Sequence, residues 1–332
     1  MHDFLKLSNE DKRLVITNTS LSMGVHEGII EKDFWVCLLL DILFSDEHFS
    51  KNLIFKGGTC LSKCFGLINR FSEDIDLILN WELLGYSKDE PWLERSNTKQ
   101  NLFNKEAIAR GEAFISKCIL PQLSIILNRT EYGEIKVQID NQDKSCINIF
   151  YPKLFELNSI LPVIRLEIGA LAAWAPSLSK TLKPYIFEYF PKLEGSTKIS
   201  VQASAVERTF WEKATILHYE ANRPSNISMP QRYARHYYDF AQMINSEVKE
   251  SAMSSSGLLI EVARFKQKFY PRGWAKYQDA KKGTLKLLPP SYRIPSLEKD
   301  YREMKAMLFG EIPSFVEILD TIETFELECN RC

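Results

Sequence analysis

The sequence contains no apolar run long enough to span a bilayer, and its first residues lack the basic-then-apolar order of a secretory leader. Those absences set the expectation of a cytoplasmic chain with no membrane partner. Cysteine is sparse and unpatterned. Its seven residues, an odd number, sit mostly in apolar segments without disulfide-framework spacing. Cys329 and Cys332 make a lone C-x-x-C, which without a second pair falls short of the four ligands of a structural zinc site. There is no GxxxxGK[ST] phosphate loop, no internal repeat and no low-complexity tract. Net charge is also nearly missing, at -1, but this total hides an asymmetry. Residues 261 to 300 hold ten Lys/Arg against four acids, a local surplus of six positive charges.

What is present suffices for a substantial core. The 332 residues are 45% hydrophobic and 12% aromatic, enough for one elaborated domain or two closely packed ones. Ser8 followed by Asp11 opens a helix reaching about Met23, and residues 27–44 form a second helix, apolar over most of its circumference. "NLIF" (52–55) reads as a short buried strand, Gly57-Gly58 as a tight turn, Thr59–Leu67 as a helix and "DIDLIL" as the next strand. Residues 80–105 are polar and read as a loop, followed by a helix from Lys105 to about Leu127. Strands follow at 134–140, 145–151 and 162–171, and the pattern turns helical from Ser204. The division expected is N-terminal helices at 1–50, an α/β core at 51–200 and an α-helical region at 201–332.

Two carboxylates inside an apolar strand need a reason. Asp74 and Asp76 are two residues apart, so they share one face while Ile75, Leu77 and Leu79 take the other. A strand end with two solvated acids would also fit. The preceding strand, two glycines and helix start point further. Gly57, Gly58 and Thr59 can offer backbone N–H groups and a helix N-terminus to phosphate oxygens, and Ser62 and Lys63 one turn on can reach a terminal phosphate, though a solvated helix face explains Lys63 equally well. Two carboxylates beside such a site suit Mg²⁺, or Mn²⁺, carried with a nucleoside triphosphate. Glu167, in "VIRLEIGAL" with Arg165 on the same face, is the candidate third metal ligand, or else half of a solvated Arg–Glu pair. Glu73 alternates away from the two aspartates and reads as structural.

Further along, Val206, Phe210, Lys213 and Leu217 share a helical face, which puts a lysine in an apolar stripe where it must snorkel or find a partner. Asp239 lies at the margin of an apolar face in "RHYYDF". Arg208, Arg232, Arg235 and His236 are individually weak phosphate or nucleic-acid contacts, and His218 reads as a packing residue. In the basic stretch, Arg264, Lys266, Lys268, Lys276, Lys281 and Lys282 interleave with Phe265, Phe269, Tyr270, Trp274 and Tyr277. Cations neutralise phosphates and aromatic faces stack on unpaired bases, so this stretch is a candidate RNA-binding flank. A solvated helix with core aromatics is the alternative.

The run "GGTCLSK…RFSEDIDL" resembles motif I of the AbiEii/AbiGii toxin family, nucleotidyltransferases with a DNA polymerase β-like fold. The resemblance continues in order through "EKDFW" (31–35), "IFYP" (149–152) and "ERTFWEKATILHYEANR…RHYYDF" (207–240). It implies an α+β protein: a polymerase β-like core with a mixed sheet, followed by an α-helical C-terminal region. It also implies a Mg²⁺-dependent nucleotidyltransferase, the toxin half of a toxin–antitoxin or phage-defence pair, with a cognate antitoxin encoded nearby. By the same resemblance Lys213 neutralises triphosphate charge, and Asp239 belongs to the active site and fixes the lysine or a basic neighbour. Some members extend the 3′ end of tRNA, which matches a basic flank. Transfer to a small molecule or protein hydroxyl, and a non-catalytic nucleotide- or RNA-binding module, are the competing expectations.

Overall fold

The computed structural model describes the chain apart from residues 130–131, 157–162, 172–175, 196–197 and 332. Cys332, half of the C-terminal cysteine pair, lies outside the described residues, and Cys329 is buried. The chain divides into two compact units. The first comprises Met1–Cys64 and Phe71–Ser204, and the second Phe65–Arg70 and Ala205–Cys332.

The first unit opens on helices α1 (His2–Leu5), α2 (Asn9–Met23), α3 (Glu27–Ser45) and α4 (Glu47–Asn52). The Ser8 side chain caps α2 by accepting from the Asp11 amide, and Gly24 ends it with a left-handed φ of 66°. Every residue of α3 from Gly28 to Leu40 is buried, charged ones included, as its all-round apolar pattern requires. Among the described residues, seven strands make one mixed sheet: β1 (Leu53–Lys56), β2 (Asp74–Leu79), β3 (Lys136–Ile139), β4 (Cys146–Phe150), β5 (Ile164–Gly169), β6 (Ser177–Leu182) and β7 (Ile199–Ser204). Their order is β3-β4-β5-β2-β1-β7-β6, parallel at β5/β2 and β1/β7 and antiparallel elsewhere. Asp74 and Asp76 therefore sit on a strand flanked on both sides. Strands β6 and β7 went unread in the sequence. "SLSKTL" of β6 is an edge strand with mostly exposed positions, so burial imprints almost no apolar pattern on it.

Two element boundaries differ from expectation for local reasons. No separate turn follows β1. The chain passes straight into α5 (Gly57–Lys63), and Gly57 alone takes the left-handed conformation, φ 79°. The long helix begins at Asn97 rather than Lys105, because the Ser96 hydroxyl accepts from the Lys99 amide. It runs as α6 (Asn97–Phe114), then one π turn (Ile115–Ile119), then α7 (Leu120–Leu127). Pro121 has no N–H and its ring would press on the carbonyl a turn earlier, and the widened π turn accommodates both.

The second unit contains helices which, following α8 (Ile186–Tyr189) of the first, are α9 (Val206–Ala221), α10 (Ala234–Ile244), α11 (Val248–Ser254), α12 (Ser256–Phe269), α13 (Ile294–Met304) and α14 (Phe315–Arg331). Its core centres on Phe210 of α9, with ring centroids 4.9 Å from Phe240 of α10 and 5.4 Å from Phe325 of α14. The segment 65–70 is stitched into this unit. The Asn69 amide donates to the Tyr238 hydroxyl at 3.2 Å, the Phe309 amide donates to the Asn69 carbonyl at 3.0 Å, and Arg70 pairs with Leu308 as a β-bridge. A mixed sheet followed by a helical region is the α+β architecture expected.

Candidate active site

Parallel pairing of β2 with β5 sets Asp74 opposite Arg165 and Asp76 opposite Glu167. Neighbouring strands lie about 4.7–4.9 Å apart, and β1 sets Lys56 opposite Asp76 on its other side, so three carboxylates share one patch of sheet with one guanidinium and one ammonium. Ile75, Leu77, Leu166 and Ile168 alternate with them and are buried. Arg165 Nη2 stands 3.6 Å from Glu167 Oε1, and its Nε donates to Cys146 Sγ at 3.4 Å. Burial, and then the neighbouring charges of Asp76 and Glu73, raise the Asp74 carboxyl above its usual range. Burial, followed by Asp76 and Asp74, pushes Glu167 up to about 7. The patch is thus short of positive charge.

The glycine start is part of this patch. A Cβ on Gly57 would lie 1.9 Å from Asp76 Oδ2, so the carboxylate rests directly against the glycine backbone. The Thr59 hydroxyl donates to the Asp74 carbonyl at 2.5 Å, which ties α5 to β2. The N-cap residue of α5, Lys56, makes no side-chain capping bond. Among the described residues no three Asp, Glu, His or Cys side chains form a ready cation cage. The donor set nevertheless fits Mg²⁺ or Mn²⁺: it is all hard oxygen and carries excess negative charge. Mg²⁺ is commonly held by one or two carboxylates together with substrate phosphates rather than by an all-protein cage.

Ser62 and Lys63 are engaged elsewhere. The Lys63 ammonium is buried 2.8 Å from Asp33 Oδ1 of α3 and lies 3.6 Å from the centroid of the Tyr185 ring. Burial opposes its charge, but Asp33 outweighs burial and holds Lys63 above its ordinary range. The Ser62 hydroxyl is 3.4 Å from that of Tyr185. Ser62 and Lys63 were expected to reach a terminal phosphate, or Lys63 to lie on a solvated helix face; the structure places the Lys63 cation against Asp33, where it anchors α5.

In the second unit, Asp239 is fully buried between two cations. Arg70 donates from Nε to Oδ1 at 2.6 Å and from Nη2 to Oδ2 at 2.9 Å, and Lys213 Nζ donates to Oδ2 at 2.6 Å. Burial works against ionising Asp239, yet Arg70 and Lys213 together hold its carboxyl well below the usual range. Lys213 Nζ also lies 3.3 Å from His236 Nδ1. Burial and then the Lys213 charge keep His236 neutral, well below its ordinary value. Its Nδ1 therefore accepts from the ammonium. With Arg70 and Lys213 both charged the cluster carries one surplus positive charge, although burial, only partly offset by Asp239, lowers the Lys213 ammonium from its ordinary value. Lys213 does not snorkel, and Asp239 holds both the lysine and a basic neighbour.

The model of the family "Nucleotidyl transferase AbiEii toxin, Type IV TA system" matches residues 38–324. The chain belongs to this family. It is a nucleotidyltransferase toxin of a type IV toxin–antitoxin system, which implies an NTP substrate and an antitoxin partner. Among solved structures, the chain is similar to MenT4, a nucleotidyltransferase toxin from Mycobacterium tuberculosis H37Rv. That match has 16% identity and a TM-score of 0.44, and covers 96% of this chain and 97% of that one. It is also similar to a chain described as a nucleotidyltransferase from H. pylori, at 13% identity and a TM-score of 0.38, covering 92% and 98%. A search of curated proteins finds no match. Among the described residues, no helix of this AbiEii chain is long and apolar enough to cross a membrane.

The basic stretch of this AbiEii toxin is only partly as expected. Arg264, Lys276 and Lys281 are exposed, and Lys266, Lys268 and Lys282 are half-buried. Phe265, Phe269 and Tyr277 are core residues and offer no face for base stacking, Trp274 is half-buried and packs on Tyr219 at 4.2 Å, and Tyr270 is exposed. The aromatics recur here because α12 and the loop after it must bury a face. Arg208 is likewise buried, bonded to Glu212 at 3.1 Å and set over the Phe265 ring. The Arg232 amide donates to Asp300 at 2.7 Å. His218 is the packing residue expected. Its Nδ1 accepts from the Lys286 amide at 3.1 Å, which leaves Nε2–H to donate to the Lys276 carbonyl at 3.1 Å. Arg70 was missed, although it opens the quoted run "RFSEDIDL". Its position directly before an apolar aromatic, facing a buried Asp far along the chain, leaves no local signature.

Proposed function

We propose that this toxin transfers nucleotides from an NTP to the 3′ end of an RNA, with tRNA as the acceptor, in a reaction that requires Mg²⁺ or Mn²⁺. The observation that carries the reading is the under-compensated carboxylate patch of Asp74, Asp76 and Glu167, set against Gly57 at the start of α5. Asp74 and Asp76, with Glu167 as the third ligand, would hold the cation, which supplies charge neutralisation and Lewis acidity toward the triphosphate. Gly57, Gly58 and Thr59 present backbone donors to phosphate oxygens, and the missing Cβ at Gly57 permits close approach. The acceptor hydroxyl oxygen attacks the α-phosphorus, the bond to pyrophosphate breaks, and the hydroxyl proton is given up to a carboxylate of the patch. Lys213, whose cluster retains a surplus positive charge, is assigned to offsetting charge that develops on the phosphates.

An RNA acceptor is supported by the cations at 264–282, and a structured RNA is favoured because three of the five neighbouring rings, Phe265, Phe269 and Tyr277, are buried. With few rings open to stack on bases, recognition rests mainly on phosphate positions, which a folded acceptor fixes in space. The test is incubation with total RNA and each labelled NTP in turn. Label is expected in the tRNA fraction, dependent on divalent cation and lost in Asp76→Ala. Label in protein or small-molecule fractions would move the acceptor to another class. Unchanged transfer by Asp76→Ala would end the carboxylate reading.

A further inference from the structure

Three successive residues of α3 are charged and buried, and each grips a different segment of the first unit. Glu31 accepts from the amides of Leu154 and Phe155, at 2.6 and 3.1 Å. Lys32 Nζ donates to Glu73 Oε2 at 2.9 Å. Asp33 binds Lys63 at 2.8 Å and accepts from the Tyr185 amide at 2.7 Å. Successive helix positions point about 100° apart, so three such contacts are possible only because α3 is surrounded by protein. Buried charges are costly to keep, and breaking such a pair leaves a charge uncompensated. Two of the three grips fall at the flanks of the patch. Glu73 is the residue immediately before Asp74, and Lys63 is the last residue of α5, the helix that begins with Gly57. Lys63 and Glu73 thus bracket the connection 64–72, and two neighbouring residues of one rigid helix fix both ends of it.

We propose that Lys32 and Asp33 are positioning residues for nucleotidyl transfer: Lys32 sets Asp74 through Glu73, and Asp33 sets α5 through Lys63. This rests on the reading of Asp74 as a ligand of the divalent cation. A strand end held only by its ladder can pivot about its first residue, and Asp74 is that first residue. The pin one residue earlier removes the pivot. The pin on Lys63 does the same for the far end of α5, whose near end touches Asp76 through Gly57 and Asp74 through Thr59.

The test replaces the first pin by apolar side chains, Lys32→Met with Glu73→Leu, and reads two quantities. These are the affinity for Mn²⁺ alone, followed by the electron paramagnetic resonance of the free ion, and kcat for transfer. Partners that orient metal ligands typically account for about 10–100-fold in metal affinity or activity. The double variant is expected to unfold at a temperature close to wild type, to bind Mn²⁺ about tenfold more weakly, and to lose kcat within that range. Glu73→Gln can keep the hydrogen bond to Lys32 but leaves that buried ammonium without its anion, so it should lose stability while retaining most of the Mn²⁺ affinity and kcat below its unfolding temperature. Wild-type Mn²⁺ affinity and kcat in the double variant would overturn the proposal, as would a Glu73→Gln loss as deep as that of Asp74→Ala. The second outcome also decides the matter if the double variant fails to fold. Asp74→Ala serves as the control for the underlying reading: if it retains transfer, that reading fails, whereas its inactivity beside an unaffected double variant isolates the failure to the pin.

Discussion

Replacing Gly57 by Ala is the sharpest probe of how the glycine start serves the carboxylates. Two costs can be separated. The first is backbone: φ is 79°, and a residue with a Cβ in the left-handed region costs roughly 1–2 kcal/mol. The second is contact: the new Cβ would sit 1.9 Å from Asp76 Oδ2 and 2.6 Å from its Cγ, where real contacts below 3.0 Å are essentially unknown. The carboxylate must therefore retreat by about 1 Å, and a misplacement of that size can cost on the order of 10²-fold in rate. Gly24 supplies the control. Its φ is 66° and a Cβ there meets nothing within 4 Å, so Gly24→Ala carries the backbone cost alone. The assay pairs thermal unfolding with Mg²⁺-dependent transfer for both variants. Gly24→Ala should lose stability and keep wild-type kcat, whereas Gly57→Ala should lose comparable or greater stability and about 100-fold in kcat. A Gly57→Ala enzyme that turns over like Gly24→Ala would refute the claim that Asp76 is seated by the glycine.

Asp239→Asn should destabilise the protein by about 3–5 kcal/mol, because Arg70 and Lys213 would remain buried without their anion. The Asp239 carboxyl is depressed in the folded chain, so its contribution is complete above the usual Asp value of about 3.9 and fades as pH falls from there through the depressed value. Urea unfolding should show the gap between wild type and variant narrowing below about pH 4, and a gap independent of pH would contradict the ion-pair account. Glu167 behaves in the opposite sense. Its folded value, raised to about 7 from 4.5, means that stability declines as pH rises across that interval. Glu167→Gln should gain stability relative to wild type between those pH values, and the Glu167 carboxyl carbon resonance should titrate near 7 and move lower when Mg²⁺ is added. A midpoint near 4.5 without Mg²⁺ would show the patch to be adequately neutralised. Changing Arg264, Lys266, Lys268, Lys276, Lys281 and Lys282 together to Gln should raise KM for RNA and flatten its salt dependence. Unaltered RNA kinetics would remove these cations from acceptor binding.

The carboxylate strand was legible because period-two alternation in "DIDLIL" states both the strand and the shared face of Asp74 and Asp76. Glu167 could be named for the same reason, but its register opposite Asp76 comes from a parallel pairing across a distant stretch of chain. The amphipathic placement of Lys213 signalled that it needed a partner, and no local pattern could say that Arg70 would share that partner. The charges in "EKDFW" were visible yet carried no role, since a helix buried on every side has no polar face against which a misplaced charge stands out. The aromatics at 265–277 misled for the converse reason: basic residues on the wet face of an amphipathic segment and rings on its dry face look in one dimension like an interleaved nucleic-acid motif.

The membership of Phe65–Arg70 in the second unit has a consequence for dissecting this chain. A cut at Ser204 looks natural along the sequence, but a fragment beginning at Ala205 would lack Arg70. Asp239 would then face Lys213 alone, a neutral buried pair in place of a cluster with one positive charge to spare. The Tyr238 hydroxyl would lose the Asn69 amide, and Leu308 would lose its bridge partner. The complementary fragment 1–204 would carry the same six residues as an orphaned excursion between α5 and β2, next to both aspartates. Fragment expression is therefore a poor way to assign activities to the two halves of this toxin. A fragment in which residues 65–70 are joined through a linker to 205–332 would respect the boundary the chain itself draws.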